Sequence, residues 1–369
     1  MILKALELDF FRNYVHTELS FSPGVNVIWG ENAQGKTNLL EAVAYLSSAS
    51  SHRARYDREL IRHGSDHAFL KSSVTSRGRS MALEADLHRG SRRQLGSNGV
   101  KLKTAGELSG ILNTVLFCPE DLYLIREGAE ARRRFLDSCI CQLRPRSAQA
   151  LAEYKRLYQH KTRILKDCGE FPSLLDALDD FSLRMAQCGA VIVHYRAHFV
   201  KRLVESAPPI HADCSGGRDR LGLRYETVST VDDPEAPPKV LLPQLMAHQE
   251  ARREAEIGAK ACLSGPHKDE LAVEINGEAA KAYASQGQTR TAALALKLAA
   301  RDIFRQETDE WPVLLLDDVL SELDHRRQEF VLNRITSGQV FITCCEEEKL
   351  ARLKEGKAFY VRDGTLLST

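Results

Sequence analysis

Residues 30–37 read Gly-Glu-Asn-Ala-Gln-Gly-Lys-Thr, a phosphate-binding loop of the form Gly-x-x-x-x-Gly-Lys-Thr. Such a loop works only between a buried strand and a helix, and the flanks supply both. Val25-Asn26-Val27-Ile28-Trp29 is a short apolar run ending at Gly30, and Leu39, Leu40, Val43 and Leu46 recur at helical spacing. A chance match in a turn would lack that context. The glycines let backbone N–H groups point inward at phosphates, and the helix adds its positive dipole end. Lys36 is expected to reach the β- and γ-phosphates and the Thr37 hydroxyl to ligate Mg²⁺. Gly30, Glu31, Asn32, Ala33, Gln34, Gly35, Lys36 and Thr37 thus form a candidate ATP-binding set.

The metal of such a site needs a second acid. Val313-Leu314-Leu315-Leu316 is an apolar run ending in Asp317-Asp318, about 280 residues beyond the loop. A buried strand next to the loop's own strand is expected to place Asp317 at the metal through water. Asp318 then sits where a base polarises the attacking water, and Asp318 and Lys36 are the candidate catalytic pair. In simple P-loop kinases and GTPases the matching acid lies much closer; a long separation filled by an insertion resembles the ATPase heads of the ABC superfamily.

Such heads complete each site with a serine-glycine signature from a second protomer. Ser285-Gln286-Gly287-Gln288 stands about 30 residues before Asp317 and opens the helical run Ala292, Leu294, Leu296, Leu298, Ala299. A serine and a glycine at a helix N-terminus suit an anion, although the same serine could serve as an ordinary cap. Ser321-Glu322-Leu323-Asp324 fits the loop that crosses the dimer interface of those heads, with Ser321 and Asp324 as interface residues. It also reads as a helix start.

Between these motifs the pattern changes character. Short alternating segments from Ser72 to Val115 suggest hairpins. From Ala129 to about Glu205 the chain is charged and periodic, broken by Pro145 and Pro172, and predicts two or three long helices. Residues 207–239 read as loops around a strand near Leu221–Thr227, followed by a helix over Leu242–Ile257. Further expectations are a strand at Leu271–Ile275, a helix at Gln288–Gln306, and strands at Val313–Leu316 and Val340–Thr343. The layout predicts an α/β ATPase lobe assembled from residues 1–125 and 301–369, with a mostly helical second lobe, 126–300, inserted between them and carrying the signature.

A net charge of +1 over 369 residues gives no global field that marks a nucleic-acid partner, so any such contact must be a local patch. The start MILKALELDFFRNY lacks the pattern of a signal peptide, and no apolar run approaches the roughly 20 residues of a bilayer span. The nine cysteines form no Cys-x-x-Cys pair, and reduced thiols in a cytoplasmic protein are expected.

Taken with LELDFFRNY, GENAQGKTNLLEAV, FCPEDLYLI, GAEARRRFLD, SGPHKDE, YASQGQTRTAALALKLA and LLLDDVLSELD, the chain resembles the RecF family, SMC-like members of the ABC-type ATPases. The likeness runs nearly end to end. It implies an ATP- and Mg²⁺-dependent homodimer that binds DNA at single-strand gaps and acts with RecO and RecR. It further implies roles in RecA loading, recombinational repair, replication restart and the SOS response. Three features depart from expectation. Thr289 stands where the family signature usually has glutamine. The segment Phe341-Ile342-Thr343-Cys344-Cys345 lacks the histidine of transporter heads, and Pro119-Glu120-Asp121 lacks the glutamine of their glutamine loop. Slow, DNA-stimulated hydrolysis follows as an expectation, with ATP acting mainly as dimer glue.

For DNA, the span Arg126–Lys166 is the most basic, with Arg132, Arg133 and Arg134 at its head, and Arg53, Arg55 and Arg58 form a second candidate. No base-reading motif is present. The competing classes are the nucleotide-binding subunit of a membrane transporter and a P-loop kinase or nuclease. The missing histidine and glutamine and the helical insertion speak against the first, and the scattered histidines against the second.

Overall fold

Strands alternate with tight turns at the start of the chain because apolar and polar residues do. The computed structural model describes residues 1–345 and 356–368. The first stretch holds β1 (Ile2–Asp9), β2 (His16–Ser20), β3 (Val25–Trp29), α1 (Lys36–Ser48), β4 (His67–Ser76), β5 (Arg79–His88), β6 (Gln94–Ser97), β7 (Val100–Leu102) and β8 (Thr114–Phe117). The middle holds α2 (Ala129–Leu143), α3 (Pro145–Asp167), α4 (Leu178–Ser215), β9 (Leu221–Glu226), α5 (Pro238–Ala259), β10 (Glu270–Ile275), β11 (Glu278–Ala279), α6 (Ala280–Tyr283) and α7 (Gln286–Thr308). The last stretch holds β12 (Val313–Leu316), α8 (His325–Arg334), β13 (Val340–Cys344), β14 (Gly356–Arg362) and β15 (Thr365–Ser368). Two compact units result: Met1–Tyr123 with Ala293–Thr369, and Leu124–Ala292. Their limits differ by 2 and 8 residues from the expected 125/126 and 300/301, the second falling inside α7.

The first unit has two six-stranded sheets. One is antiparallel, in the order β2-β1-β4-β5-β6-β7. The other runs β15-β14-β3-β13-β12-β8, parallel except for the terminal β14–β15 hairpin. Its inner strands β12 and β13 are buried along their whole length, which is why they read as unbroken apolar runs. Leu39, Leu40 and Val43 of α1 share one apolar core with Ile28, Leu315 and Phe341.

One expectation fails here. β12 does not lie next to the loop strand β3; β13 is inserted between them. Parallel neighbours must be joined by a crossover, and the β12-to-β13 crossover carries α8. Apolar composition makes each strand buried but does not set its place in the sheet.

In the second unit α2, α3 and α4 supply the expected long helices, with α5 packed on α4 and the antiparallel sheet β11-β10-β9 beside them. The expected loop from residue 207 is wrong in part: α4 continues through Pro208 and Pro209 to Ser215. Each proline removes a backbone donor and costs roughly 3 kcal/mol in a helix interior. Ala207, Ile210, His211 and Cys214, all buried, carry the apolar face onward and offset that cost.

Two stretches with no place in a generic ATPase head, Arg132–Asp137 and Ser264–Glu270, are locked together in this unit. Arg132 forks onto Glu270 at 2.7 and 2.6 Å, and Arg133 donates to the Asp269 carbonyl at 2.7 Å. Arg196 joins Asp137 at 2.9 Å to Asp269 at 3.0 Å. At Gly265, φ is +127°, and a Cβ there would collide with the Tyr154 hydroxyl. That hydroxyl lies 2.6 Å from His267 Nδ1, and His267 Nε2 lies 3.1 Å from the Cys262 carbonyl. The network assigns a neutral imidazole that accepts at Nδ1 and donates at Nε2.

Burial pushes His267 down from 6.5 to about 4 and Asp269 up from 3.8 to about 6. The depressed histidine contributes stability that is full above pH 6.5 and lost as pH falls toward 4. The raised carboxyl contributes in the opposite sense: its share is full below 3.8 and lost as pH rises through 6. Comparing the wild type with His267→Gln cancels the Asp269 share. Between pH 7 and 5 the wild type is expected to lose about 2 kcal/mol more than the variant. Urea melts followed by circular dichroism read this directly, and parallel pH profiles would refute it.

Candidate nucleotide site

The loop between β3 and α1 is built by steric necessity. Gly30 has φ +148° and Gly35 +120°; a Cβ would strike the Val361 carbonyl at the first and the Asn13 side chain at the second. Four bonds hold the loop open. Asn13 Nδ2 donates to the Gln34 carbonyl at 2.8 Å and the Tyr14 hydroxyl to the Gly35 carbonyl at 2.9 Å. The Gly364 N–H donates to the Gln34 carbonyl at 3.1 Å and the Asp363 N–H to Gln34 Oε1 at 2.6 Å. Sequence reasoning missed these supports because they come from the two ends of the chain. Only the Phe-Arg-Asn-Tyr segment next to β1 carried any signal.

No side chain caps α1 and no acid lies in its first turn, so its N-terminal N–H groups and dipole face the loop's concavity. Lys36, 6 % exposed, folds back on the loop, its ammonium donating to the Gly30 and Glu31 carbonyls at 2.6 and 2.8 Å. Glu31, Asn32 and Ala33 are exposed on the loop's crest, and Cys345 Sγ lies 3.0 Å from Asn32 Oδ1.

Although β12 is one strand removed from β3, its end reaches the same place. The Thr37 hydroxyl donates to Asp317 Oδ1 at 2.9 Å. The Thr343 hydroxyl donates to the same oxygen at 2.9 Å and accepts the Asp318 N–H at 2.7 Å. Burial pushes the Asp317 carboxyl up, and these two hydroxyls pull it part of the way back. Asp318 stands in the left-handed region at φ +51°, its backbone fixed by Thr343. A threonine hydroxyl and a carboxylate are the hard oxygen donors that magnesium takes, so this pair fits that ion. Thr343, in the segment where a histidine was sought, was not singled out from the sequence.

Ser321 donates to Asp318, and Asp324 caps α8 by accepting the Arg327 N–H at 3.0 Å. Lys297 holds Asp121 at 2.7 Å, which fixes the Pro119–Asp121 turn where a glutamine was absent. In the second unit the signature is a reciprocal capping box. The Ser285 N–H donates to Gln288 Oε1 at 2.9 Å and the Gln288 N–H to Ser285 Oγ at 3.2 Å, while Gln286 is exposed and Gly287 half-buried. Thr289, the departure from the usual glutamine, is buried and bonds the Gln286 carbonyl at 2.9 Å.

The arginines expected to meet DNA divide. Arg132 is 4 % exposed, its donors spent on Glu270 and on the carbonyls of Leu124, Ile125 and Glu127, so it is a brace and not a phosphate contact. Arg133 is half-buried with one donor on Asp269. Arg134 is exposed, about 4 Å from Glu127 and Glu130. Arg53 and Arg55 are exposed, Arg53 donating to Asn38 Oδ1 at 3.2 Å.

The family model described as RecF/RecN/SMC N terminal domain matches residues 2–366. The DNA replication and repair protein RecF of Acetivibrio thermocellus is 38% identical over 363 residues, covering 98% of each chain. A solved structure of the recombination mediator protein RecF-ATP in the RecFOR pathway matches with TM-score 0.90 at 32% identity, covering 100% of this chain and 97% of that one. A Smc head domain of Pyrococcus furiosus matches with TM-score 0.57 at 17% identity over 100% of this chain and 96% of that one, a likeness of fold. A phosphate loop and a distant acid pair meeting in one unit, on an SMC-like ABC-type head aligned end to end with RecF proteins, place the chain in the RecF family.

Proposed function

We propose that this chain is an ATP-switched DNA-binding protein of recombinational repair and replication restart. Each site is half of a composite site that a second copy completes. The observation that carries the reading is the junction of Thr37, Asp317 and Thr343 beneath an uncapped α1. A RecF relative is described with ATP, which supports the same ligand here. Thr37 and Asp317 would hold Mg²⁺, which supplies charge neutralisation at the phosphates. Gly30–Gly35 and the first turn of α1 bind and orient the phosphates, and Lys36 leaves its two loop carbonyls to meet them. Asp318 is placed to polarise water.

Ser285, Gln286, Gly287 and Gln288 of the partner cap the γ-phosphate, with Ser321 and Asp324 at the same interface. Hydrolysis is slow and releases the dimer. DNA at single-strand gaps is the substrate surface, RecR and RecO are the partners, and RecA acts downstream. No described helix is long and apolar enough to cross a membrane, in keeping with work in the cytoplasm.

Light scattering with and without ATP tests this. Wild type is expected to dimerise on ATP. Lys36→Arg should bind ATP and hydrolyse it poorly. Ser285→Arg should bind ATP and stay monomeric, because a guanidinium would enter the composite site. Normal dimerisation of Ser285→Arg would refute the partner-signature assignment.

A further inference from the structure

The stretch Arg53-Ala54-Arg55-Tyr56-Asp57-Arg58 reads as a mixed-charge run, but its acid is turned away from its cations. The Asp57 carboxylate accepts from Arg93 at 3.0 and 3.1 Å and from the Tyr45 hydroxyl at 3.0 Å. Glu59 Oε2 is occupied by the Arg55 backbone N–H at 3.0 Å. Arg55 and Arg58, both exposed, have no carboxylate partner among the described residues. Their guanidinium carbons instead lie 5.3 and 4.9 Å from the ring centroid of Tyr56, which is 47% exposed. Both guanidinium groups rest over the half-exposed ring with no described carboxylate to hold them there, so an arginine that swings out to a phosphate uncovers the ring for a flat partner.

The platform is bolted to the nucleotide helix. Ser51 Oγ accepts the Arg53 and Ala54 N–H groups at 2.9 and 2.8 Å and donates to Glu41. Glu41, fully buried on α1, is gripped by Arg12 at 2.9 and 2.8 Å. Arg58 lines an open depression of about 590 Å³ with Arg12, Asn13 and Asn38, the last beside Thr37 in the first turn of α1.

We infer that Arg55, Tyr56 and Arg58 form a contact site for single-stranded nucleic acid, in which an unpaired base stacks on Tyr56 and the two arginines take flanking phosphates. The site rests on the DNA-binding reading above and deepens it. A duplex hides its base faces, so the tyrosine favours a single strand, while the arginines serve either form. Through Ser51, Glu41 and α1 the bound strand communicates with the loop that carries Lys36 and Thr37.

The test uses the full chain with ATP and fluorescence anisotropy on a labelled thirty-nucleotide oligo-dT and a duplex of equal length. Tyr56→Ala is expected to weaken oligo-dT binding about tenfold and to leave duplex binding unchanged, and Tyr56→Phe to restore it. Arg55→Ala with Arg58→Ala should flatten the log–log salt slope on oligo-dT by about 1.4. Tyr56→Ala should also lose stimulation of ATP hydrolysis by oligo-dT while keeping its DNA-free rate. Wild-type binding with Tyr56→Ala unaffected, or equally weakened on both probes, overturns the site alone. Wild type that binds neither probe overturns the site and the DNA reading beneath it.

Discussion

Asp269→Ala is expected to remove about 3–5 kcal/mol from the stability of the 124–292 unit. The carboxylate is 1 % exposed and accepts from Arg196 at 3.0 Å, from Thr227 at 2.7 Å and from the Tyr225 hydroxyl. Alanine leaves two hydroxyls without their acceptor and a buried guanidinium with Asp137 as its one remaining acid in that network. A triple variant, Asp269→Leu with Arg196→Met and Asp137→Asn, removes all three charges of the network together and should cost less per site than the single alanine, because no uncompensated ion remains. The readout can be made specific. Both tryptophans, Trp29 and Trp311, belong to the other unit, whereas α2 to α5 belong to this one. Asp269→Ala should therefore move the helical circular-dichroism transition to lower urea and leave tryptophan fluorescence closer to its wild-type midpoint. A cost below about 1 kcal/mol would show that the ionic lock is not what holds this turn.

Legibility followed locality. The loop GENAQGKT and the pair Asp317-Asp318 could be read because each directly follows an apolar run, VNVIW and VLLL, that encodes its own strand. The order β3-β13-β12 could not, since three buried apolar strands carry interchangeable patterns. Pro208-Pro209 misled because burial of Ala207, Ile210 and Cys214 is a tertiary fact that outweighs a local breaker. Arg132 misled for the mirror reason: a cation in a basic run is indistinguishable from its neighbours until Glu270, 138 residues away, takes it. The supports of the nucleotide loop, Asn13, Tyr14 and Asp363, were hidden by the same distance. The strand β14, which pairs with β3 and carries the Val361 carbonyl against Gly30, was not foreseen at all.

That geometry bears on the rate of hydrolysis. A transporter-type head meets the γ-phosphate with a histidine after the strand that follows the acids; here Thr343, the last residue but one of that strand, faces inward. Its hydroxyl is spent on Asp317 and on the Asp318 backbone, so it fixes the acid pair and has no donor left for a phosphate. With that hydroxyl committed to the acid pair, the arrangement supports the slow, switch-like hydrolysis proposed above.

Asp318→Asn isolates chemistry from binding. Asparagine tolerates the left-handed backbone that Asp318 adopts at φ +51°, and the N–H to Thr343 is retained. The substitution removes the negative charge and the basicity of one side chain and little else. If Asp318 polarises water, hydrolysis should fall by about 10²- to 10⁴-fold. ATP binding and ATP-induced dimerisation should persist, and the dimer should live longer in proportion to the lost rate. Asp317→Asn should behave differently, because Asp317 receives both threonine hydroxyls and is the carboxylate proposed to hold Mg²⁺. It should weaken Mg²⁺ dependence first, shifting the magnesium concentration needed for dimerisation. Single-turnover hydrolysis alongside light scattering, each titrated with magnesium, separates the two. Hydrolysis within a few-fold of wild type in Asp318→Asn would exclude Asp318 as the base and move that role to another group of the proposed site.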